Sequence, residues 1–185
     1  MISKGLDFPN VTLVGVINAD TSLLIPNFRS SEYTFDLLSQ VAGRSGRGEK
    51  TGKVVIQTYN IDHYAIRLAK EQDYLSFFNE EMKIRKMLNY PPYSYLISVK
   101  VKSTDYNLAS KESTYLANKI KENIKSDVLG PSIGSTFKVK NVYSFNILIK
   151  YKKDDTIYPY LEKCLEHYKT NTKIMIDIDF NPINI

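Results

Sequence analysis

Pro91 and Pro92 stand side by side near the middle of the chain, and the hydrophobic pattern differs on their two sides. A double proline removes two amide donors and crowds the preceding turn, so a helix arriving there must end. Upstream, residues 11–18 (VTLVGVIN) and 53–58 (KVVIQT) are short, nearly continuous apolar runs, the pattern of strands buried on both faces of a parallel sheet. Helical stretches are predicted over 31–40 and 63–70. A longer one over 74–88 places Tyr74, Phe77, Phe78, Ile84 or Arg85, and Leu88 at roughly helical spacing. Strand, helix, strand, helix predicts an α/β unit.

Downstream, residues 95–102 (YLISVKVK) alternate with period two, which predicts a half-buried strand. Asp105 is placed to cap a helix with Ala109, Leu116, Ile120 and Ile124 near one face, while Lys111, Lys119, Lys121 and Lys125 project elsewhere. Gly130-Pro131 is read as a break, followed by a weak strand over 137–140, a turn at Asn141 and a strong strand over 143–151. Asp155 then caps a helix with Ile157, Leu161, Cys164, Leu165 and Tyr168 on one stripe, and Pro159 falls in its first turn, where a missing donor matters little. A strand over 174–180 closes the order βαββαβ, the split arrangement of ferredoxin-like α+β domains.

Composition narrows the function classes. With 43% hydrophobic residues in 185, the chain can bury a core. Lys+Arg 25 against Asp+Glu 20 gives a net charge of +5, compatible with a phosphate-rich partner, although abundant Lys, Ile, Asn and Tyr also follow from an AT-rich genome. The single cysteine, Cys164, excludes an internal disulfide and argues against a zinc site. Apolar runs far short of ~20 residues, with no signal-like start, predict a soluble cytoplasmic protein. His63 and His167 suit helix termini better than catalysis, and Asp177 and Asp179 share the polar face of the last strand without a second group to work with.

Chemistry concentrates in LLSQVAGRSGRGEKTGKVVIQT, residues 37–58. If the helix continues through Gln40 to Arg47, then Gln40, Arg44 and Arg47 lie at i, i+4 and i+7 and face the same way. Arginine offers a planar fork of donors, glycine lets backbone approach closely, and glutamine can orient a water, so the set suits phosphate. A solvated basic loop after a helix accounts for the same spacing equally well. GRGEKTGK is not a phosphate-binding P-loop, because Arg47 holds its first glycine position and Val54 stands where Ser or Thr belongs.

QVAGRSGR, residues 40–47, resembles motif VI of superfamily 2 helicases, and KGLDFPNVTLV, residues 4–14, resembles motif V of the same motor lobe. Together with Asp20, NFRSSE, YPPYS, LGP and IDFNP, the whole length resembles the bacterial replication-restart, or primosomal, helicase family. The resemblance implies a C-terminal fragment: residues 1–72 as the end of a RecA-like parallel-sheet lobe, 73–92 as a linking helix ending at Pro91-Pro92, and 93–185 as an S10-like domain. The DNA-binding N-terminal domain, the first lobe and a zinc-binding insertion would lie upstream.

It also implies roles. Arg47 corresponds to the arginine finger that neutralises charge on the γ-phosphoryl group, Arg44 to its companion, and Gln40 to the residue sensing the γ-phosphate and attacking water. Gly5, Asp7 and Gly43 would lie against ATP. Lys4 would contact the DNA backbone, and Lys111, Lys119, Lys121 and Lys125 would neutralise phosphates. Tyr33 and Ser144 depart from the family, each standing where relatives often carry arginine. Implied partners are branched and single-stranded DNA, the tail of single-stranded-DNA-binding protein, other primosome proteins and the replicative-helicase loader, with no membrane. ATP and Mg2+, and zinc through cysteines this chain lacks, belong to the intact protein, in the bacterial cytoplasm at the nucleoid. A free-standing nucleic-acid-binding module and a protein-interaction platform, both without ATPase activity, remain alternatives.

Overall fold

The structure, a computed structural model, describes residues 11–43, 52–153 and 156–183, the side chains of 134–137 excepted. These residues form two compact units that divide between Arg85 and Lys86. Lys4, Gly5, Asp7, Arg44, Arg47 and Asp155 lie outside the described residues.

In the first unit, strands β1 (Leu13–Val16) and β2 (Lys53–Ile56) pair in parallel, Leu13 opposite Lys53 and Val16 opposite Ile56. Helices α1 (Asp20–Leu23) and α2 (Ser30–Ala42) make the crossover, and α3 (Tyr64–Glu71) and α4 (Tyr74–Met87) follow. Their core is Ala19, Phe35, Leu38, Ala65, Ile66, Leu68, Ala69 and Phe77, with Val16 and Ile56 against it. Burial of the strands on both faces is not found. Val14, Val16, Val54 and Ile56 are half-buried while Leu13 and Val55 are exposed, because among the described residues each strand pairs only with the other and the helical core reaches alternate side chains.

One further expectation fails in this unit, and one helix is additional to those expected. Helix α1 carries no long apolar pattern that would announce it. On α4 the buried side chains are Phe77, Glu81 and Arg85, at i, i+4 and i+8, whereas Tyr74 and Phe78 are exposed, as is Leu88 just past the helix end. The stripe contains an ion pair, which an apolar pattern search passes over.

The second unit comprises β3 (Tyr95–Ser103), α5 (Tyr106–Asn123), β4 (Asp127–Val139), β5 (Val142–Tyr151), α6 (Ile157–Tyr168) and β6 (Met175–Phe180). The antiparallel sheet runs β4-β5-β3-β6, so the element order βαββαβ places β5 and β3 at its centre. Leu116 and Ile120 of α5 join Leu161 and Cys164 of α6 over Ile97, Val99, Val101, Ile147 and Ile149. The Asp105 carboxylate caps α5, accepting from the amides of Asn107 at 2.8 Å and Leu108 at 3.1 Å. Strand β3 is more than half-buried: Leu96, Ile97, Ser98 and Val99 are all inside, because it is a central strand.

Gly130-Pro131 does not break the chain. Strand β4 runs through it with a register shift between Leu129 and Ser132, and a second between Ile133 and Lys138. An edge strand tolerates a proline that cannot donate, and a bulge absorbs the extra residue. Gly130 is required there: its φ is +95°, and a Cβ would lie 2.7 Å from the carbonyl oxygen of Asn146. Lys140 and Asn141, at φ 45° and 67°, make the two-residue turn that brings Val142 opposite Val139. Helix α6 begins at Ile157 after Thr156, whose side chain makes no capping bond.

Candidate functional site

The first site region is the C-terminal end of α2. The helix starts where Thr34 Oγ1, fully buried, donates back to the Ser30 carbonyl at 2.8 Å and shares a 2.7 Å bond with Ser22 Oγ of α1. Phe35 and Leu38 fill the core beneath it. Gln40 is exposed, and α2 ends at Ala42 with Gly43 as its C-cap, the Gly43 amide donating to the Ser39 carbonyl at 3.2 Å. A common face for Gln40, Arg44 and Arg47 required a helix extending past this cap, and both arginines lie outside the described residues. Gly43 has an ordinary φ of −71°, and a Cβ there would meet nothing closer than 3.7 Å. The described chain has room for a side chain at this glycine.

Beside α1, the loop after β2 is pinned by one carboxylate. Asp20, only 4% exposed, accepts from Thr58 Oγ1 at 2.9 Å, the Tyr59 amide at 2.9 Å and Asn60 Nδ2 at 2.7 Å. The Tyr59 N–H and then the Asn60 side chain hold its pKa below the usual carboxylate range. His63 caps α3, its Nδ1 accepting from the Ala65 amide at 3.2 Å; burial lowers its pKa against the raising pull of Glu81 and Asp20.

A charged cluster joins three helices. Arg85 Nε donates to Glu81 Oε1 at 2.6 Å within α4, and Arg85 Nη2 donates to Glu32 Oε2 of α2 at 2.6 Å. The hydroxyl of Tyr64, first residue of α3, donates to Glu81 Oε2 at 2.5 Å. Glu81 and Arg85 are 3% and 7% exposed. Burial pulls the Arg85 pKa down, but hydrogen bonds and charge from Glu32 and Glu81 outweigh it and hold it above the ordinary value. Burial, then the bond to Glu81, pushes the Tyr64 hydroxyl well up. Sequence reasoning missed this cluster; its one signal was Arg85 on a stripe otherwise read as apolar.

The second unit carries a cleft of about 430 Å³ between the end of α5, the end of β5 and the segment before β3, lined by Lys125, Lys150 and Lys152 together with Ser94, Ser126 and Asp127. Lys150 is committed: its Nζ donates to the Leu88 carbonyl at 2.8 Å and lies 3.7 Å from the centroid of the Tyr90 ring. Lys125 and Lys152 are exposed. The four lysines expected to act together do not share one face. Lys111 and Lys121 are exposed, Lys119 is half-buried with its Nζ 5.8 Å from the Tyr115 centroid, and Lys119 and Lys121 are about 200° apart around α5. Only Lys125 reaches the cleft. Lys150 and Lys152 were missed, because lysines at a strand end read as ordinary solubilising charge.

Among the described residues no group of three or more His, Cys, Asp or Glu could hold a metal, and Cys164 is buried and free. Asp177 pairs with Lys102 across the sheet. His167 is exposed in the last turn of α6. Among the described residues no helix is long and apolar enough to cross a membrane.

A family model described as "Primosomal protein N C-terminal domain" matches residues 86–183. The chain is 48% identical to the replication restart protein PriA of Bacillus subtilis (strain 168), an alignment covering 98% of this chain and 23% of that protein. It is 35% identical to the protein of the same name from Borreliella burgdorferi, over 100% of the chain and 28% of the relative, and 35% identical to that of Synechocystis, over 100% and 22%. The chain thus spans about a quarter of the length of these relatives. An identity of that level along essentially the whole chain, with the family model spanning the whole βαββαβ unit, places this chain in the replication restart protein PriA family.

Proposed function

We propose that this chain is the C-terminal portion of an ATP-driven 3′–5′ DNA helicase that recognises stalled or collapsed forks and initiates primosome assembly. Residues 1–72 complete a RecA-like lobe, and 93–185 form an S10-like module that binds DNA. The observation that carries this is the 48% identity to PriA over 98% of the chain. Two features support it. A two-stranded parallel pair with Leu13 and Val55 exposed is what one edge of a larger α/β sheet leaves when seen by itself. Gly43, at a position where the chain has room for a side chain, suits close approach of backbone to a ligand.

In this reading Arg47 neutralises charge developing on the transferred phosphoryl group, Arg44 assists it, and Gln40 orients the attacking water. Gly5 and Asp7 form the turn against ATP, and Lys4 meets the DNA backbone. Mg2+ and zinc are held by other parts of the intact protein, zinc through cysteines that this chain, with Cys164 alone, does not carry. The partners are forked and single-stranded DNA, the tail of single-stranded-DNA-binding protein, other primosome proteins and the helicase loader. The 185-residue chain, holding one side of the nucleotide cleft, is expected to hydrolyse no ATP with or without DNA. Stoichiometric, DNA-stimulated turnover by the purified chain contradicts the division of labour.

The cleft favours the DNA-binding role of the second unit. Lys125 and Lys152 present ammonium groups to solvent beside Ser126, so a strand crossing there would exchange condensed counterions for lysines. Binding of a single-stranded oligonucleotide is expected to be weak and sequence-independent. Each of Lys125→Gln and Lys152→Gln should reduce the slope of log affinity against log salt by about 0.7, with smaller effects from Lys111→Gln and Lys121→Gln. Tight binding insensitive to salt rules this contact out.

A further inference from the structure

We propose that Arg85 is a positioning residue for the ATP-cleft end of α2, acting through its ion pairs with Glu32 and Glu81. The inference rests on the motor reading of Gln40 and Arg47. A purely structural account explains the cluster poorly. Apolar side chains of similar volume fold as well as a buried carboxylate–guanidinium–carboxylate set, or better, so such a set is weak evidence of a stability role. What it adds is direction. Apolar contacts at Phe35 and Leu38 are non-directional, whereas a planar guanidinium with Nε on Glu81 and Nη2 on Glu32 fixes an angle as well as a distance.

The lever is short. Glu32 lies in the first turn of α2 and Gln40 near its end, eight residues or about 12 Å along the axis. A tilt of about 5° at the Glu32 end moves Gln40 by about 1 Å, and misplacement on that scale can lower a rate by about a hundredfold. Tyr64 fixes the second carboxylate oxygen of Glu81, so α2, α3 and α4 are held at one point. Arg85 is also the last residue of the first unit, on a helix that continues to Met87. The guanidinium therefore references the cleft end of α2 to the helix by which the chain leaves that unit.

The test has two variants and two readouts. One variant is Glu32→Gln, at a half-buried position where the unit should stay folded. The other replaces the cluster by Glu32→Leu, Glu81→Leu and Arg85→Met together, which should preserve or raise the melting temperature of the unit. In the intact protein both are expected to lower kcat for DNA-stimulated ATP hydrolysis roughly tenfold to a hundredfold while KM for ATP stays within about twofold. In the 185-residue chain, Glu32→Gln should speed amide exchange at residues 41–43 without changing exchange in β5. Unchanged kcat in Glu32→Gln overturns the proposal, as does a fall in kcat with no change in exchange at 41–43; should the triple variant not fold, Glu32→Gln decides. Arg47→Ala is the control: if it hydrolyses ATP at the parent rate, the motor reading fails whatever Arg85 does.

Discussion

In the intact protein, Arg47→Ala is expected to lower DNA-stimulated ATP hydrolysis by about a thousandfold or more, the scale of removing an arginine finger, while nucleotide binding changes little. Only an interaction made more strongly in the transition state than in the ground state acts in this way. Arg47→Lys should rescue poorly, because an ammonium supplies a point charge without the planar fork that spans two equatorial oxygens. Folding should be nearly indifferent, within about 0.5 kcal/mol, since Arg47 sits between Gly46 and Gly48 and occupies no position in an apolar pattern. The measurement is steady-state hydrolysis per folded molecule beside a thermal melt. If Arg47→Ala melted the protein and left the rate per folded molecule intact, the residue would be structural.

What the sequence revealed depends on whether a physical signal is local. Strands β3 and β5 of the second unit were legible because a run of strand-forming residues and the cap at Asp105 are properties of a few consecutive residues, whereas the burial of both faces of β3 follows from its central place in the sheet and not from its alternation. Gly130-Pro131 misled because the same dipeptide that ends a central strand is accommodated as a bulge at an edge, and edge status is set by residues elsewhere. On α4, Phe77 was legible and Arg85 stood on the same stripe as an alternative to Ile84, but Glu81 gave no signal, since a carboxylate and a guanidinium announce burial only when Glu32 and Tyr64 are brought to them. In the candidate site, Gln40 and Gly43 came from a motif whose spacing is local. The cleft at Lys125, Lys150 and Lys152 joins the ends of α5 and β5 in space and had no local signal.

The second large effect concerns the frame beneath that motif. Phe77 is 3% exposed and stacks on Phe35 of α2, ring centroids 4.1 Å apart and planes 13° apart, with Tyr64 of α3 at 5.9 Å on a further stacked contact. Phe77→Ala removes the ring where three helices meet, and the expected destabilisation is about 3–5 kcal/mol, the range for truncating a buried phenylalanine. Against the ~5–15 kcal/mol that holds a domain together, this is a large fraction. Phe78→Ala, one residue on and 45% exposed, should stay within about 0.5 kcal/mol, so the pair reports which face of α4 is buried. Denaturant melts of the two variants decide it: equal midpoints mean that α4 does not pack through Phe77. Phe77→Ala should lower ATP hydrolysis in the intact protein only as far as it reduces the folded fraction, and so most strongly near the melting temperature. Arg47→Ala should lower the rate of every folded molecule, and a melt alongside the assay separates the loss of the frame from the loss of the chemistry.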